Sequence, residues 1–404
     1  MTMKGANFLE KLLDNQPVEW KKLGEVCELI TDFTAAGSFA SNAKNVKYLN
    51  NPDYALLVRT TDLKQKFQNK DRFIYVDEKA FEYLWRVKLD VESIIMPNVG
   101  NCGEVYFVSP KQLPYSRCVL GPNALLIRSY IANQKFLFYL FHSTDFQAKL
   151  SKITSSTGQT KFNKTNLKQL SIPLPPLSVQ SRIVEILDKF TAMEAELQAE
   201  LELRKKQYAY YREQLLNFSY TPPSEFNVVY KKLGEVAEIG TGRSNRKDEV
   251  TDGAYPFYVR SKNILRSSTY QFDETAIVIP GEGGIGDIFH YVVGKYALHQ
   301  RAYRIRLQSE EQVLSKFLYY YMTSAFKGFI VSKSVGATAT SIRKPMIEEF
   351  PIPLPPLSEQ QRIVEILDKF DTLTNSISEG LPLEIQLRRQ QYEYYREQLL
   401  DFRN

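Results

Sequence analysis

Residues 172–190 read IPLPPLSVQSRIVEILDKF and residues 352–370 read IPLPPLSEQQRIVEILDKF, with 17 of 19 positions identical. A second pair follows: Arg204–Phe218 (RKKQYAYYREQLLNF) and Arg388–Phe402 (RRQQYEYYREQLLDF) agree at 11 of 15. A third precedes them, since KKLGEV at Lys21–Val26 recurs unchanged at Lys231–Val236. Identity of this kind inside one chain of 404 residues is an internal duplication, which decides architecture before any single element does. Between the shared islands lie 145 residues in the first half (27–171) and 115 in the second (237–351), and these differ. Domain-sized blocks diverged while the flanking segments stayed nearly fixed, which implies two different roles for the blocks and one common role for the segments.

The fixed segments read as long helices. Pro173, Pro175 and Pro176 make an extended lead-in, Ser178 is placed to cap, and Ser358 with Gln361 fits a capping box. Apolar residues then recur at steps of 3, 4 or 7: Ile183, Leu187, Phe190, Met193, Leu197, Leu201, Tyr208, Tyr211, Leu215 and Phe218. The second copy runs through Ile363, Leu367, Phe370, Leu373, Ile377, Leu381, Ile385, Tyr392, Tyr395, Leu399 and Phe402. This is the period of a coiled-coil seam, and each helix of about 40 residues spans ~60 Å at 1.5 Å per residue. Two such seams in one chain can pair antiparallel with each other; the alternatives are packing on their own blocks or dimerisation of the chain. Tyr210, Arg212, Glu213 and Gln214 match Tyr394, Arg396, Glu397 and Gln398 although the spacing turns them away from the seam, so two equal outer faces suggest two copies of one partner. The copies differ in the middle, where AELQ and AELE tetrads at 195–202 face a stretch with Gly380 and Pro382, which predicts a helix break.

The net charge is only +6, which excludes a polycation and an acidic tail. Its distribution is more telling: +7 over residues 1–180, −2 over 181–230, +4 over 231–350 and −3 over 351–404, so basic blocks alternate with acidic arms. Three cysteines (Cys27, Cys102, Cys118) without C-x-x-C exclude a disulfide scaffold and most zinc modules. The N-terminal MTMKGANFLEKLLDN has no apolar signal core, and no run approaches ~18 apolar residues. The expectation is a reduced, cytoplasmic chain without membrane association or metal.

The blocks keep a common skeleton. YALLVRTTDL at Tyr54–Leu63 aligns with YPFYVRSKNI at Tyr255–Ile264, matching Arg59 to Arg260. Pro97, Gly100 and Gly103 match Pro280, Gly283 and Gly286, each set leading into an acid, an apolar residue and an aromatic. Gly281-x-Gly283-x-x-Gly286 formally fits a dinucleotide fingerprint, but that motif needs a following helix, and DIFHYVV reads as a strand. No P-loop, N-P-P-[FYW] or H-E-x-x-H is present, and His142, His290 and His299 have no ligand spacing. What remains is binding. Polar loops supply Asn98, Asn101, Gln159, Thr160, Lys161, Asn163 and Lys164 in the first block, with Arg59 and with Arg117 at a point matching Arg301. The second block supplies Arg243, Asn245, Arg246, Lys247, Arg260, Lys262, Arg301, Thr340, Arg343 and Lys344. Such side chains serve phosphate contacts and base-edge hydrogen bonds alike. In two positive blocks on acidic helical arms they favour DNA.

The paired IPLPPLSxQxRIVEILDKF and QYxYYREQLL segments resemble the specificity subunit of type I restriction–modification systems, IC-like subfamily. The resemblance covers nearly the whole chain and is specific in the helices. It implies an α+β fold with an internal pseudo-two-fold repeat: two mixed α/β target-recognition domains separated by two long antiparallel coiled-coil helices. Recognition domains are expected at 1–177 and 220–357, with helical spacers at 178–219 and 358–404. Each domain would read one half of an asymmetric bipartite site in double-stranded DNA. The helices would dock two methyltransferase subunits, and restriction subunits would join. S-adenosylmethionine and ATP would belong to those partners, leaving this chain non-catalytic and without a cofactor. The central tetrads would act as a ruler for the spacer, and EKLLDN at 10–15 echoes EQLLN at 213–217 as circular pseudo-symmetry requires. The competing reading is a coiled-coil adapter joining two protein partners without DNA.

Overall fold

The computed structural model describes residues 8–155, 160–218, 228–333 and 341–403. The chain divides into two compact units, Met1–Glu196 with Gln386–Asn404, and Leu197–Ile385. The helix Leu177–Leu216 is continuous over 40 residues, and the chain passes from one unit to the other within it.

The shared islands are strand partners of one another. Glu19–Lys22 pairs antiparallel with Ser171–Leu174, and Val229–Lys232 with Pro351–Leu354, in the same register: Lys21 opposite Ile172, Lys231 opposite Ile352. The LGEV that follows makes one helical turn in each copy, tied back by Leu23 N–H to the Leu170 carbonyl and by Leu233 N–H to that of Phe350, both 2.8 Å. KKLGEV and IPLPP are thus kept together in both copies because they close each variable block at its base.

In the first unit a four-stranded antiparallel sheet runs in the order Leu29–Asp32, Ala124–Arg128, Ser93–Pro97, Tyr106–Val108. One face packs on the helices Gln134–Phe141 and Thr144–Ile153 through Ile94, Ile127, Phe136 and Phe146. The other packs, through Ile95 and Leu126, on a mixed three-stranded sheet of Ile74–Val76, Ala55–Val58 and Cys118–Leu120. In the second unit one six-stranded sheet holds Ala237–Thr241, Ala302–Leu307, Phe272–Pro280, His290–Leu298, Tyr255–Tyr258 and Leu265–Ser267, in that order. Ile277, Ile279 and Ile305 face the helix Ser315–Lys333.

The long helices start one residue before the expected caps. Leu177 and Leu357 open them, Pro356 is the N-cap of the second without a side-chain bond, and Ser178 and Ser358 lie inside. Proline, with its fixed φ, suffices at that boundary. The buried Gln180 and Gln360 hold the entry instead, donating to the Pro175 and Pro355 carbonyls (2.7 and 2.8 Å) and accepting from the Asn133 and Leu314 N–H groups.

Each unit contains an antiparallel helical contact between the two copies. Phe190 stacks on Tyr395 in the first, ring centroids 5.4 Å apart, with Glu194 paired to Arg389. Phe370 stacks on Tyr211 at 5.6 Å and on Tyr208 at 6.0 Å in the second, where Leu201 packs with Leu381 and Ile385. Ile183, Leu187, Ile363, Leu367 and Leu399 are buried, and Leu197, Leu215 and Tyr392 half-buried. Ile377 departs from the predicted seam. The second helix is broken between Asn375 and Gly380, whose φ of 73° interrupts it, leaving Ile377 83 % exposed outside either helix. Met193 and Tyr211 are each 40 % exposed, at the margin of the seam.

Candidate nucleic-acid interface

Both blocks build the same turn on the same backbone bonds. Asn98 N–H donates to the Asn123 carbonyl (3.2 Å), and Gly281 N–H to that of Arg301 (2.9 Å). Phe162 N–H returns to the Asn98 carbonyl, as Ile342 N–H does to Gly281. Val99 bridges to Lys161, and Glu282 to Ser341. The described parts of the polar loops, from 160 and from 341 onward, are therefore brought onto the glycine turns in both blocks. Gly100 and Gly103 adopt φ of 84° and 104°, Gly283 and Gly286 of 66° and 74°, conformations that other residues avoid. The second turn leads into the strand His290–Leu298, not a helix, so the formal dinucleotide motif lacks its phosphate-binding element.

Beside the second turn is a cavity of about 450 Å³ lined by Arg246, Arg260, Asn263, Glu282, Gly283 and His299. Arg260 Nη1 and Arg301 Nη1 both donate to Glu282 Oε2, at 2.9 and 3.0 Å. The bond from Arg301, with that from Arg260, holds the Glu282 carboxyl below its ordinary range. His299 is buried, its Nδ1 accepting from Arg301 N–H (3.0 Å); burial, then the Arg260 and Arg301 charges, pull its pKa down. The loop with Arg243, Asn245 and Lys247 joins the same rim, because Ser244 bridges to His299 and Gln300 N–H donates to the Ser244 carbonyl. Asn245 caps the turn Arg246–Asp248, and Arg246 is 85 % exposed. Lys262 and Arg343 are exposed, Lys344 pairs with Glu348, and Thr340 lies outside the described residues.

The matching turn of the first block opens on a cavity of about 550 Å³ with different chemistry: Phe33, Val46, Tyr48, Asn98, Pro122 and Asn123 line it. Asn98 Oδ1 is buried without a partner among the described residues. Asn101 and Lys64 engage Glu104, Lys164 pairs with Asp32 (3.0 Å), and Asn163 caps the short helix Lys164–Lys168. Lys161 is exposed, the Thr160 carbonyl accepts from Gly100 N–H, and Gln159 lies outside the described residues.

Two sequence alignments shift. Gly121 N–H bonds to the Val58 carbonyl as His299 N–H does to that of Tyr258, so Arg260 matches Thr60, not Arg59. Arg59 is engaged internally, where its guanidinium forks onto the buried Asp62 (3.0 and 2.8 Å) and reaches the Arg72 carbonyl. Arg301 likewise matches Asn123, not Arg117, which lies over the Tyr54 ring at the other end of the strand Cys118–Leu120. Sequence could not see either register, because it is set by strand pairing.

On the helices the outer faces repeat. Tyr210 and Tyr394 are 59 % and 61 % exposed, each edge-on to the next tyrosine. Arg212 lies over Tyr208 as Arg396 lies over Tyr392. Glu213 and Gln214 are exposed, whereas Glu397 and Gln398 are half-buried; Glu397 accepts from Thr144 N–H and pairs with Arg396. A further repeat hides in the variable blocks. Tyr139 and Lys135 bond to Asp188, and Tyr320 and Lys316 to Asp368. This K-x-x-x-Y at helical spacing docks each block on the start of its following helix, and the pairing of 135/139 with 316/320 is the signal that would have found it.

A duplicated scaffold, helix contacts between the copies and one turn filled with two chemistries define a two-domain protein built on one repeated platform. The family of type I restriction modification DNA specificity domains matches residues 15–203 and 224–387, and the chain belongs to this family as a non-catalytic specificity subunit with two recognition domains. It is 31 % identical to the type I restriction enzyme EcoR124I/EcoR124II specificity subunit of Escherichia coli, over 99 % of this chain and 98 % of that protein. It is 26 % identical to the EcoprrI specificity subunit of the same species, over 93 % of each. The crystal structure of a type I restriction–modification S subunit from M. genitalium superposes with a TM-score of 0.55 at 14 % identity, covering 97 % of this chain and 98 % of that one, which shows the fold.

Proposed function

We propose that each block reads one half of an asymmetric bipartite site in double-stranded DNA, and that the helical arms dock two methyltransferase subunits. Methyl transfer with S-adenosylmethionine, and ATP-driven restriction, belong to those partners and to restriction subunits joining them in the cytoplasm. The observation that carries this reading is the turn built by the same backbone bonds in both blocks but lined by amides and apolar groups in one and by arginines and a carboxylate in the other. A common platform with exchanged side chains is what two readers of different sequence need. The exposed Tyr210 and Tyr394, each edge-on to the next tyrosine and each near an arginine laid over an equivalent ring, support two copies of one docked partner.

Sequencing methylated adenines in cells with and without the chain tests the proposal. A two-part motif that vanishes when the chain is absent is expected; a methylome indifferent to it would remove DNA reading. The adapter reading instead predicts no duplex binding, against steep salt dependence for a DNA reader.

A further inference from the structure

The cavity of the second block carries more than positive charge. Arg260 and Arg301 converge on one oxygen of Glu282, each spending Nη1 and leaving its Nε–Nη2 edge without a partner among the described residues. The two side chains are 45 % and 57 % exposed, so those edges are open to a ligand. The carboxylate cancels one of two positive charges and would repel a phosphate. What it leaves is direction: two parallel N–H donors on a planar group held in place. Arg246, by contrast, is 85 % exposed and held only by a loose pair with Glu249 at 3.9 Å, a mobile charge suited to phosphate. Beneath the fork, His299 fixes the Arg301 backbone by accepting its N–H.

Two parallel donors select a base edge with two acceptors. In the major groove guanine presents O6 and N7, whereas adenine places a donor beside its N7 and would meet donor against donor. We propose that Arg260 and Arg301, held by Glu282 as a positioning residue, read guanine in the half-site of the second block. The first block has no counterpart: Thr60, Val99 and Asn123 occupy the matching positions. The proposal rests on the reading of the blocks as DNA readers.

The test uses the full chain, coexpressed with the modification subunits of its system in a host lacking adenine methylation. The variants are Arg301→Ala, Arg260→Ala, Arg301→Lys and Glu282→Gln. For the unaltered chain, replacing one G·C pair of one half-site by A·T should cut modification about 10- to 100-fold. Either alanine variant should bring that discrimination within about 3-fold, leaving the other half-site and the spacer unchanged. Glu282→Gln should weaken it in the same direction, and Arg301→Lys, which keeps charge but not the fork, should fail to restore it. Modification of the untouched half-site shows that each variant folds. An unchanged motif with uniformly weaker modification, rescue by lysine, or a motif lacking G·C in the affected half would each overturn the guanine assignment while leaving DNA reading intact. Absence of any chain-dependent motif would instead break the underlying reading.

Discussion

The strand leading away from the turn differs between the blocks as sharply as the cavity does. Ala124 and Ala302 hold matching places, since Pro97 pairs with the one and Pro280 with the other, so Leu126 corresponds to Arg304. Leu126 is buried against the three-stranded sheet, an apolar second layer. Arg304 is almost as buried but sits among Glu274, Glu238 and the Phe272 ring, with Tyr296 donating to Glu274. Both positions make the same ladder bonds. The pattern teaches that the two blocks share their backbone pairing and not their side-chain packing, so side chains on it are exchangeable provided each new set satisfies itself.

The largest effect follows from that condition. Glu274→Ala leaves Arg304 buried beside only the half-exposed Glu238 and strips the partner of Tyr296, so we expect a loss of about 3–5 kcal/mol in the second unit. In the first unit Asp90→Ala at the buried Arg128 should cost about 1 kcal/mol or less, because Asp90 is 63 % exposed and Ser93 and the Lys88 carbonyl still hold the guanidinium. Urea unfolding of the full chain, with hydrogen exchange assigning each loss to its unit, measures both; equal costs would break the contrast.

The glycine turns give the next effect. A Cβ at Gly286 (φ 74°) would lie 2.8 Å from the Lys327 Cα, a helix backbone atom that cannot retreat. At the matching Gly103 it would meet only the Gln147 Oε1, at 2.9 Å, the end of a movable side chain. Both alanines bear left-handed strain, but Gly286→Ala adds overpacking, so it should cost about 3 kcal/mol against ~1–2 for Gly103→Ala. The loss should fall on one half-site in each case. A methylome in which Gly103→Ala is the more damaging would contradict this packing.

How much of this is legible in the chain depends on what the information is made of. The duplication, the long helices and the break at Gly380 are written in local pattern, which a sequence carries directly. The glycine turns align correctly because Pro-x-x-Gly-x-x-Gly is itself a backbone specification. Arg59 aligns wrongly because a one-residue strand register leaves no trace in composition, and Arg117 because the true match, Asn123, lies past the strand Cys118–Leu120 and carries no charge; an arginine forked on its own Asp62 also reads like one awaiting a ligand. Ile377 falls in the expected seam because heptad counting runs through a gap that Gly380 opens. Gln180 and Gln360 do not stand out since identity marks the whole segment equally, and only burial separates the polar residue that carries the helix entry.

The smallest expected difference between the units is in pH. His142 lies in the first, His290 and His299 in the second, and burial above all holds each below its ordinary pKa. A histidine that is depressed in the folded state and ordinary in the unfolded one stabilises the protein fully above the unfolded value of 6.5, and that contribution fades as pH falls through the folded value. At His299 the positive groups Arg260 and Arg301 and the opposing Glu282 all face the ring, and the two guanidiniums outweigh the carboxylate. At His142 the backbone bond to the Phe138 carbonyl works against burial, as the Ser261 carbonyl does at His290. Between pH 7.5 and 5 the second unit, with two such histidines, should therefore lose more protection from hydrogen exchange than the first. Substituting His299→Gln, which keeps an acceptor for Arg301 N–H without a titrating ring, should narrow the gap; a first unit that proves the more acid-sensitive would reverse the comparison.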